Sequence, residues 1–233
     1  MTLFLLPNLL DESLAWEPFL PASVAAAVHS LDGLIAESEK EGRRYLRRFV
    51  DHEKMSRTPI RLLNEHTAKG ELGALLEPLI RGERLGLISD AGLPCVADPG
   101  APLVLLAQEK KVRVETFSGP SSILMALQLS GLSGQRFSFL GYLPRETAEL
   151  KKALQQIEVK SRQEGSGQIW IEAPYRGAKM AQAAIEILQP STLFCVAQDL
   201  TLEGQSVRTQ PIARWRKEMP EIGKRPAVFL LQA

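Results

Sequence analysis

The stretch LGLISDAGLPCVADPG, residues 85–100, decides the fold class of this chain. It begins as a short, continuous apolar run, which is typical of a buried strand. It continues through glycines and prolines that favour neither strand nor helix, and it leads into a helical pattern with a proline in its first turn. A buried strand, an irregular loop and a helix in this order are typical of an α/β protein, in which such loops bind ligands.

The rest of the N-terminal half repeats the alternation of apolar and amphipathic runs. Strands are predicted at Leu3–Leu6, Gly33–Ala36, Ile60–Leu63, Leu85–Ser89 and Val112–Phe117. Helices are predicted at Ala22–Ser30, Gly42–Val50, Glu71–Arg81 and Pro102–Lys110. Because the strands are continuously apolar and alternate with helices, they predict a parallel sheet that is covered on both faces.

A second series of elements follows and predicts a second α/β domain. Strands are predicted at Phe137–Tyr142, Gln168–Ala173, Phe194–Leu200 and Ala227–Leu231, and helices at Ser121–Leu129, Glu146–Val159 and Arg176–Leu188. The segment Thr201–Lys217 is predicted to be irregular or a hairpin. We therefore expect two α/β domains, residues 1–117 and 118–233, without an internal repeat.

Composition and charge narrow the class of protein. Of the 233 residues, 45% are hydrophobic and 24% are charged, which is typical of a soluble globular protein. The formal net charge is +1, so binding to nucleic acid would depend on local basic patches. Cys95, Cys195 and three scattered histidines have no metal-ligand spacing, so we expect no metal site and a reducing, cytoplasmic setting. No apolar stretch has the length of a membrane span.

The loops that follow the predicted strands share small residues, prolines and single carboxylates. In open α/β sheets, ligands bind beyond the carboxyl ends of the strands, which is where Glu37, Asp90 and Glu172 fall. The segment Ser118–Ser122 has a proline and two serines at the start of a predicted helix. This pattern is found at helix N-termini that bind anions and also at ordinary helix caps without a ligand. For any one loop, a simple turning role has about equal weight. No P-loop lysine or GxGxxG pattern accompanies these loops.

Three segments together resemble the tetrapyrrole methylase superfamily, and most closely its branch of ribosomal RNA small-subunit 2′-O-methyltransferases. They are SDAGLPCVADPG from Ser89, SGPSS from Ser118 and RFSFLGYLP from Arg136. The resemblance implies a class III methyltransferase fold with S-adenosylmethionine in a cleft between two α/β domains, usually in a homodimer. The first domain would hold the substrate and part of the cofactor, and the second domain the remainder. The residues that would contact the cofactor are Asp90, Ala91, Leu93, Ser121, Ser122, Glu172, Ala197, Pro226 and Ala227.

The chain departs from the family pattern close to the expected reaction centre. The first loop, Leu6–Asp11, is shorter than the family's and has no glycine, and Leu93 stands where the family has threonine. After the second strand, Ala36–Lys40 replaces the family's A-E-D-T-R. Two alternatives to an RNA methyltransferase therefore stay open, namely a small-molecule, tetrapyrrole-like methyltransferase and an inactive protein that binds S-adenosylmethionine.

Candidate substrate residues support ribosomal RNA, or the small ribosomal subunit, as the partner. A cluster of arginines on one predicted helical stripe could contact phosphates, and a solvated face with salt bridges to nearby glutamates is about equally plausible. Glu37 is the candidate base for a ribose hydroxyl, and Tyr142 is a candidate for orienting the acceptor. The arginines of the cluster are Arg43, Arg44, Arg47 and Arg48.

Overall fold

The computed structural model describes residues 1–233, with the side chain of Lys69 outside the description. The described residues form two five-stranded sheets and divide into two compact units, Met1–Ser121 and Ser122–Ala233. The predicted α/β fold is confirmed. The division falls slightly beyond the predicted boundary at residue 117. None of the helices among the described residues is long and apolar enough to cross a membrane.

The N-terminal unit is a parallel sheet with helices on both faces, as predicted. Its strands are β1 (Thr2–Leu5), β2 (Gly33–Ala36), β3 (Ile60–Leu62), β4 (Arg84–Leu87) and β5 (Arg113–Thr116), in the order β3-β2-β4-β1-β5. Its helices are α1 (Ala22–His29), α2 (Glu39–Leu46), α3 (His52–Arg57), α4 (Leu72–Ile80) and α5 (Ala101–Glu109), with a 3-10 turn at Lys69–Glu71. The side chains of neighbouring strand residues point to opposite faces of the sheet. Leu34 and Ile35 of β2, for example, pack into two different clusters of the hydrophobic core.

The C-terminal unit is a mixed sheet in the order β6-β7-β10-β8-β9. Its strands are β6 (Phe137–Tyr142), β7 (Gly167–Glu172), β8 (Leu193–Gln198), β9 (Ser206–Pro211) and β10 (Ala227–Gln232). Its helices are α6 (Ser122–Ser130), α7 (Thr147–Glu164), α8 (Gly177–Ile187) and α9 (Ile212–Trp215). Strand β10 is antiparallel to both β7 and β8, so the start of β10 lies beside the ends of those two strands.

Stacked aromatic rings form the centre of the C-terminal core. The rings of Phe194 and Phe229 lie 6.0 Å apart and almost parallel, and Trp170 stacks on both. The side chain of Trp215 packs edge-on against Phe194 and donates its indole N–H to the Phe194 carbonyl at 2.8 Å. Large buried rings contribute most of the apolar area of such a core. This packing holds β7, β8 and β10 in register.

Candidate functional site

The strand ends of the N-terminal unit meet at one edge of its sheet. Because β1, β2 and β4 are parallel, the residues that follow them lie side by side. These residues are Asn8 after β1, Glu37 after β2 and Asp90 after β4. The structure thus brings together two candidate residues that the sequence analysis named, Glu37 and Asp90, and one that it missed.

Asn8 joins the first loop to the loop that follows β4. It is 4% exposed, and its side-chain amide donates to the carbonyls of Ser89 at 2.9 Å and Asp90 at 3.0 Å. Its backbone N–H donates to the Gly92 carbonyl at 2.7 Å. Its side-chain oxygen accepts from Arg48 at 2.8 Å. These hydrogen bonds therefore attach the first loop, which lacks glycine, to the SDAG segment that begins at Ser89. The sequence shows an asparagine shortly after the first strand, but its burial and its hydrogen-bond partners are visible only in the structure.

The loop after β4 is held in an unusual backbone conformation. Gly92 has a φ of 74°, and two residues with side chains, Cys95 and Ala97, have φ values of 69° and 57°. Such angles are costly for residues other than glycine and cluster at functional sites. One carboxylate oxygen of Asp98 accepts from the backbone N–H groups of Cys95 at 3.1 Å and Gly100 at 2.9 Å. These bonds maintain the loop in this conformation.

Two of the three carboxyl groups at this edge, Glu37 and Asp98, have raised pKa values, and burial is the largest cause in both. Burial raises the pKa of Glu37 above its usual value, and the negative charge of Asp90 raises it further. One Glu37 oxygen accepts from the Asp90 backbone N–H at 3.3 Å, which opposes the increase. Burial also raises the pKa of Asp98. The second carboxylate oxygen of Asp98 is buried without a hydrogen-bond partner among the described residues. The Asp98 carboxyl group also interacts with the Glu37 side chain, and this interaction raises the Glu37 pKa and lowers the Asp98 pKa.

The other predicted cofactor residues of this unit differ in exposure. Asp90 and Ala91 are exposed at the tip of the loop, Leu93 is half-buried and Ser121 is buried. Among the described residues, no group of three or more histidine, cysteine or acidic side chains is arranged to hold a metal ion.

The four arginines do not share one helical stripe, because α2 ends at Leu46. The Arg47 N–H still bonds four residues back, to Arg43, but the N–H groups of Arg48 and Phe49 bond only three residues back, so the helix gives way to a turn at this point. Arg43 donates to the carbonyls of Met55 at 2.5 Å and Thr58 at 2.8 Å, at the end of α3. Arg44 forms ion pairs with glutamates of two different segments, and Arg47 is exposed. The alternative interpretation expected salt bridges from these arginines to Glu37, Glu39 and Glu41, and the structure has two of this kind, Arg43 with Glu39 and Arg44 with Glu41.

In the C-terminal unit, the β ladder places several predicted cofactor residues at one sheet edge. Ala227 lies opposite Glu172 of β7 and Gln198 of β8, and Pro226 precedes it as an exposed residue. Ala197 pairs with Val228 and is buried. The remaining two predicted residues are Ser122, which begins α6, and Tyr142, which ends β6 and is 63% exposed.

Glu172 is the most deeply buried acid at this edge, with a side chain that is 1% exposed. One of its oxygens accepts from the Ala173 backbone N–H at 2.8 Å, and the other lies 3.3 Å from the Arg176 guanidinium. Arg176 also donates to the carbonyl of Pro144 at 3.2 Å. The sequence analysis named Glu172 but did not identify Arg176 as its charge partner. An arginine four residues after a strand-ending glutamate was the available signal.

Several curated proteins of similar sequence carry the name "Ribosomal RNA small subunit methyltransferase I". The protein of that name from Pseudomonas aeruginosa is 32% identical over 156 residues, which are 67% of this chain and 54% of that protein. The one from Bacillus subtilis is 33% identical over 172 residues, 74% of this chain and 56% of that protein. The one from Thermotoga maritima is 28% identical over 167 residues, 70% of this chain and 72% of that protein. No protein-family model matches the chain.

Among solved structures, the chain is similar in fold to the methyltransferase CobJ. The TM-score is 0.63 at 16% identity, over 99% of this chain and 92% of that one. The chain spans about half the length of the first curated relatives that it matches. These matches confirm the resemblance of this chain to the tetrapyrrole methylase superfamily and to its branch of ribosomal RNA small-subunit methyltransferases.

Proposed function

We propose that this protein is an S-adenosylmethionine-dependent methyltransferase that methylates a ribose 2′-hydroxyl of small-subunit ribosomal RNA. The observation that carries the proposal is the series of matches to proteins named for methylation of this RNA. The strained loop after β4 and the carboxylates beside it support a ligand site at the same place.

The residues at the strand ends fit the chemistry of S-adenosylmethionine. This cofactor carries an ammonium group and ribose hydroxyls, which donate hydrogen bonds, and a carboxylate, which accepts them. In the N-terminal unit, the exposed Asp90 carboxylate offers an acceptor, and the Gly92 turn allows close approach of the backbone. We assign cofactor contacts to the loop Asp90–Leu93 and to Ser121. In the C-terminal unit we assign them to Ser122, Glu172, Ala197, Pro226 and Ala227.

In this proposal, Glu37 is the base that accepts the proton of the acceptor hydroxyl. The bound cofactor supplies an electrophilic methyl group, so the protein has to position the acceptor and remove its proton. A base is most effective when its pKa lies near the working pH, and burial moves the Glu37 pKa in that direction. The Asp90 backbone N–H holds one Glu37 oxygen, and the Asp98 carboxyl group also interacts with the Glu37 side chain.

We assign substrate contacts to the arginines at the end of α2 in the N-terminal unit and, separately, to Tyr142 in the C-terminal unit. Arg47 is exposed, and Arg44 and Arg48 are half-buried beside it, so this segment concentrates positive charge in a nearly neutral chain. Arg43 donates to backbone carbonyls at the end of α3, so we assign it the role of holding this segment in place. The exposed ring of Tyr142 can stack on a base or orient the acceptor. We also propose that the protein is a cytoplasmic homodimer that acts without a metal ion, with the small ribosomal subunit as its partner.

The proposal is tested with small subunits from a strain that lacks the gene. Purified protein is incubated with these subunits and S-adenosylmethionine that carries a labelled methyl group. We expect label in the RNA at a phosphodiester bond that resists alkaline cleavage, and no transfer to subunits from the parent strain, which are already methylated. Sedimentation of the purified protein measures the oligomeric state.

Other outcomes discriminate between the alternatives. Cofactor binding by calorimetry without transfer to subunits or naked RNA would contradict the RNA proposal. Transfer to a small-molecule acceptor would then support the small-molecule methyltransferase, and absence of any turnover would support the inactive binding protein. If S-adenosylmethionine does not bind even at millimolar concentration, the assignment of a methyltransferase site is wrong.

A further inference from the structure

Two hollows open on either side of the Arg44 and Arg47 side chains in the N-terminal unit. The first has a volume of about 450 Å³ and is lined by Glu12, Ser13, Leu14, Arg44, Arg47 and Arg48. The second has a volume of about 310 Å³ and is lined by Lys40, Arg43, Arg44, Arg47 and Met55. Arg44 and Arg47 therefore line both hollows. Each hollow is lined by more cationic than anionic residues.

The arginines around the first hollow are engaged to different degrees. Arg48 is tied to Asn8 at 2.8 Å, which fixes its guanidinium in place. Arg44 pairs with Glu41 of its own helix. Arg47 is exposed, and no hydrogen bond or ion pair of its side chain is found within the described part of the chain. The first hollow thus combines two positioned guanidinium groups with one that has unused donors.

Glu12 supplies an anion to this hollow from a distant segment. It lies in the loop between β1 and α1, and its carboxylate pairs with Arg44. The Glu12 side chain is 63% exposed and that of Arg44 is 27% exposed, so water reaches the pair from the Glu12 side, weakens it by screening and allows other anions to exchange with Glu12. A phosphate in the same place would keep the pairing with Arg44 and add the donors of Arg47 and Arg48. A phosphate can therefore displace the Glu12 carboxylate from Arg44.

We propose that the first hollow binds a backbone phosphate of the RNA substrate, and that Glu12 occupies Arg44 until the RNA displaces it. This inference rests on the RNA substrate of the proposed function and identifies which residues receive its backbone. The second hollow, on the other side of the same arginines, accepts a neighbouring phosphate of the strand. The Glu12 carboxylate acts as a competitor that lowers the affinity for weakly held anions.

The test compares four variants of the full chain for binding to a labelled transcript of the small-subunit ribosomal RNA. Glu12→Gln removes the competing carboxylate, and Glu17→Gln removes an exposed carboxylate from the same loop as a matched control. Arg47→Gln removes the free guanidinium, and Arg57→Gln, which is 78% exposed on α3, is its control. We expect Glu12→Gln to bind roughly two- to fivefold more tightly than Glu17→Gln, the range of a surface ion pair. We expect Arg47→Gln to bind several-fold more weakly than Arg57→Gln.

The outcomes separate this inference from the proposed function. If the unchanged protein binds the transcript and Glu12→Gln binds no more tightly than Glu17→Gln, the inference is wrong and the proposed function stands. If the unchanged protein methylates no RNA and binds none, the proposed function fails first. Inorganic phosphate is titrated in parallel. If it binds with the same dependence on Glu12 and Arg47 while the transcript does not, the hollow is a site for small phosphates, which overturns the RNA assignment.

Discussion

At the scale of single residues, the Glu37 carboxyl combines a raised pKa with a fixed orientation. Burial and the charge of Asp90 raise the pKa, and the Asp90 backbone N–H holds one oxygen. These two properties are the ones that a proton acceptor requires. They also carry a cost in stability, because a charged group is held where its neutral form is favoured.

The first prediction concerns catalysis by Glu37. Glu37→Gln keeps an oxygen for the Asp90 N–H and removes the base, so we expect methyl transfer to fall by about 10²- to 10⁴-fold. Affinity for S-adenosylmethionine, measured by calorimetry, should change little. Glu39→Gln, on the exposed start of α2, is the control and should retain its activity. Equal activity of the two variants would remove Glu37 from the mechanism.

The second prediction concerns pH and uses the same variant. The ordinary pKa of this group is 4.5, and the folded protein raises it. Between these two values the folded state binds more protons than the unfolded state, so the free energy of unfolding falls as pH rises through this window. We therefore expect Glu37→Gln to become progressively more stable than the unchanged protein as pH rises from 4.5, with a constant difference at higher pH. Urea titrations across this range measure the difference, and a difference that shrinks with rising pH would contradict the assigned direction.

The sequence predicted some site residues and missed others for a physical reason. Glu37 and Asp90 follow strands directly, so the geometry of a parallel sheet is enough to place them at the ligand edge. Asn8 and Glu12 act through contacts with segments distant in the chain, and no local pattern reports such contacts. Asp98 bonds within its own loop, but its interaction with Glu37 also joins distant segments. Their roles become visible only when the sheet has assembled.

At the scale of elements, the first loop and the loop after β4 behave as one unit through Asn8. The third prediction tests this link with two substitutions. Asn8→Ala removes all of its side-chain bonds, and we expect a loss of about 1–3 kcal/mol in the free energy of unfolding. Asn8→Asp keeps the acceptor for Leu9 and Arg48 and removes the donor to the Ser89 and Asp90 carbonyls. Both variants should bind S-adenosylmethionine more weakly in calorimetry. Unchanged cofactor affinity in Asn8→Asp would show that the donor does not position the cofactor loop.

The fourth prediction concerns the close approach of the ends of β1 and β5. A Cβ atom added at Gly119 would lie 2.1 Å from the Cβ of Pro7, and a proline ring cannot move aside. We expect Gly119→Ala to lower the free energy of unfolding by about 1–3 kcal/mol or more. Gly73, within α4, has open space around it, so Gly73→Ala should raise stability by about 0.5–1 kcal/mol. Denaturant titrations of both variants compare the two effects, and equal midpoints would contradict the contact.

Elements were predictable from the sequence where apolar residues are continuous. The predicted strand Phe137–Tyr142 matches β6, and the other predicted strands match within a few residues. Helix α3 was missed because five of its six residues, HEKMSR, are polar and none of the six is fully buried, although Met55 packs partly against the core. Its start depends on the Asp51 side chain, which accepts from the Lys54 N–H at 2.8 Å. Strand β9 lies inside the segment predicted as irregular or hairpin, and it forms through antiparallel pairing with β8.

At the scale of the whole molecule, charge is concentrated in a few places in a nearly neutral chain. The formal net charge of +1 gives little general attraction to RNA. The arginines around the first hollow are a local exception, and the sequence showed this concentration before the structure did. The sequence could not show that these arginines differ in their contacts. Arg43 donates to backbone carbonyls, whereas Arg47 is free to contact a ligand.

The fifth prediction is the salt dependence of RNA binding. Each phosphate that is neutralised contributes about −0.7 to −0.9 to the slope of log affinity against log salt. If Arg44, Arg47 and Arg48 make the phosphate contacts, the slope should be about −2 to −3, and Arg47→Gln should make it shallower by about one contact. Fluorescence anisotropy at several salt concentrations measures the slope. Arg57→Gln should leave it unchanged, because that residue lies outside both hollows. A slope far steeper than −3 in the unchanged protein would place most phosphate contacts elsewhere on the molecule, and these arginines would then contribute only a minor part of the RNA affinity.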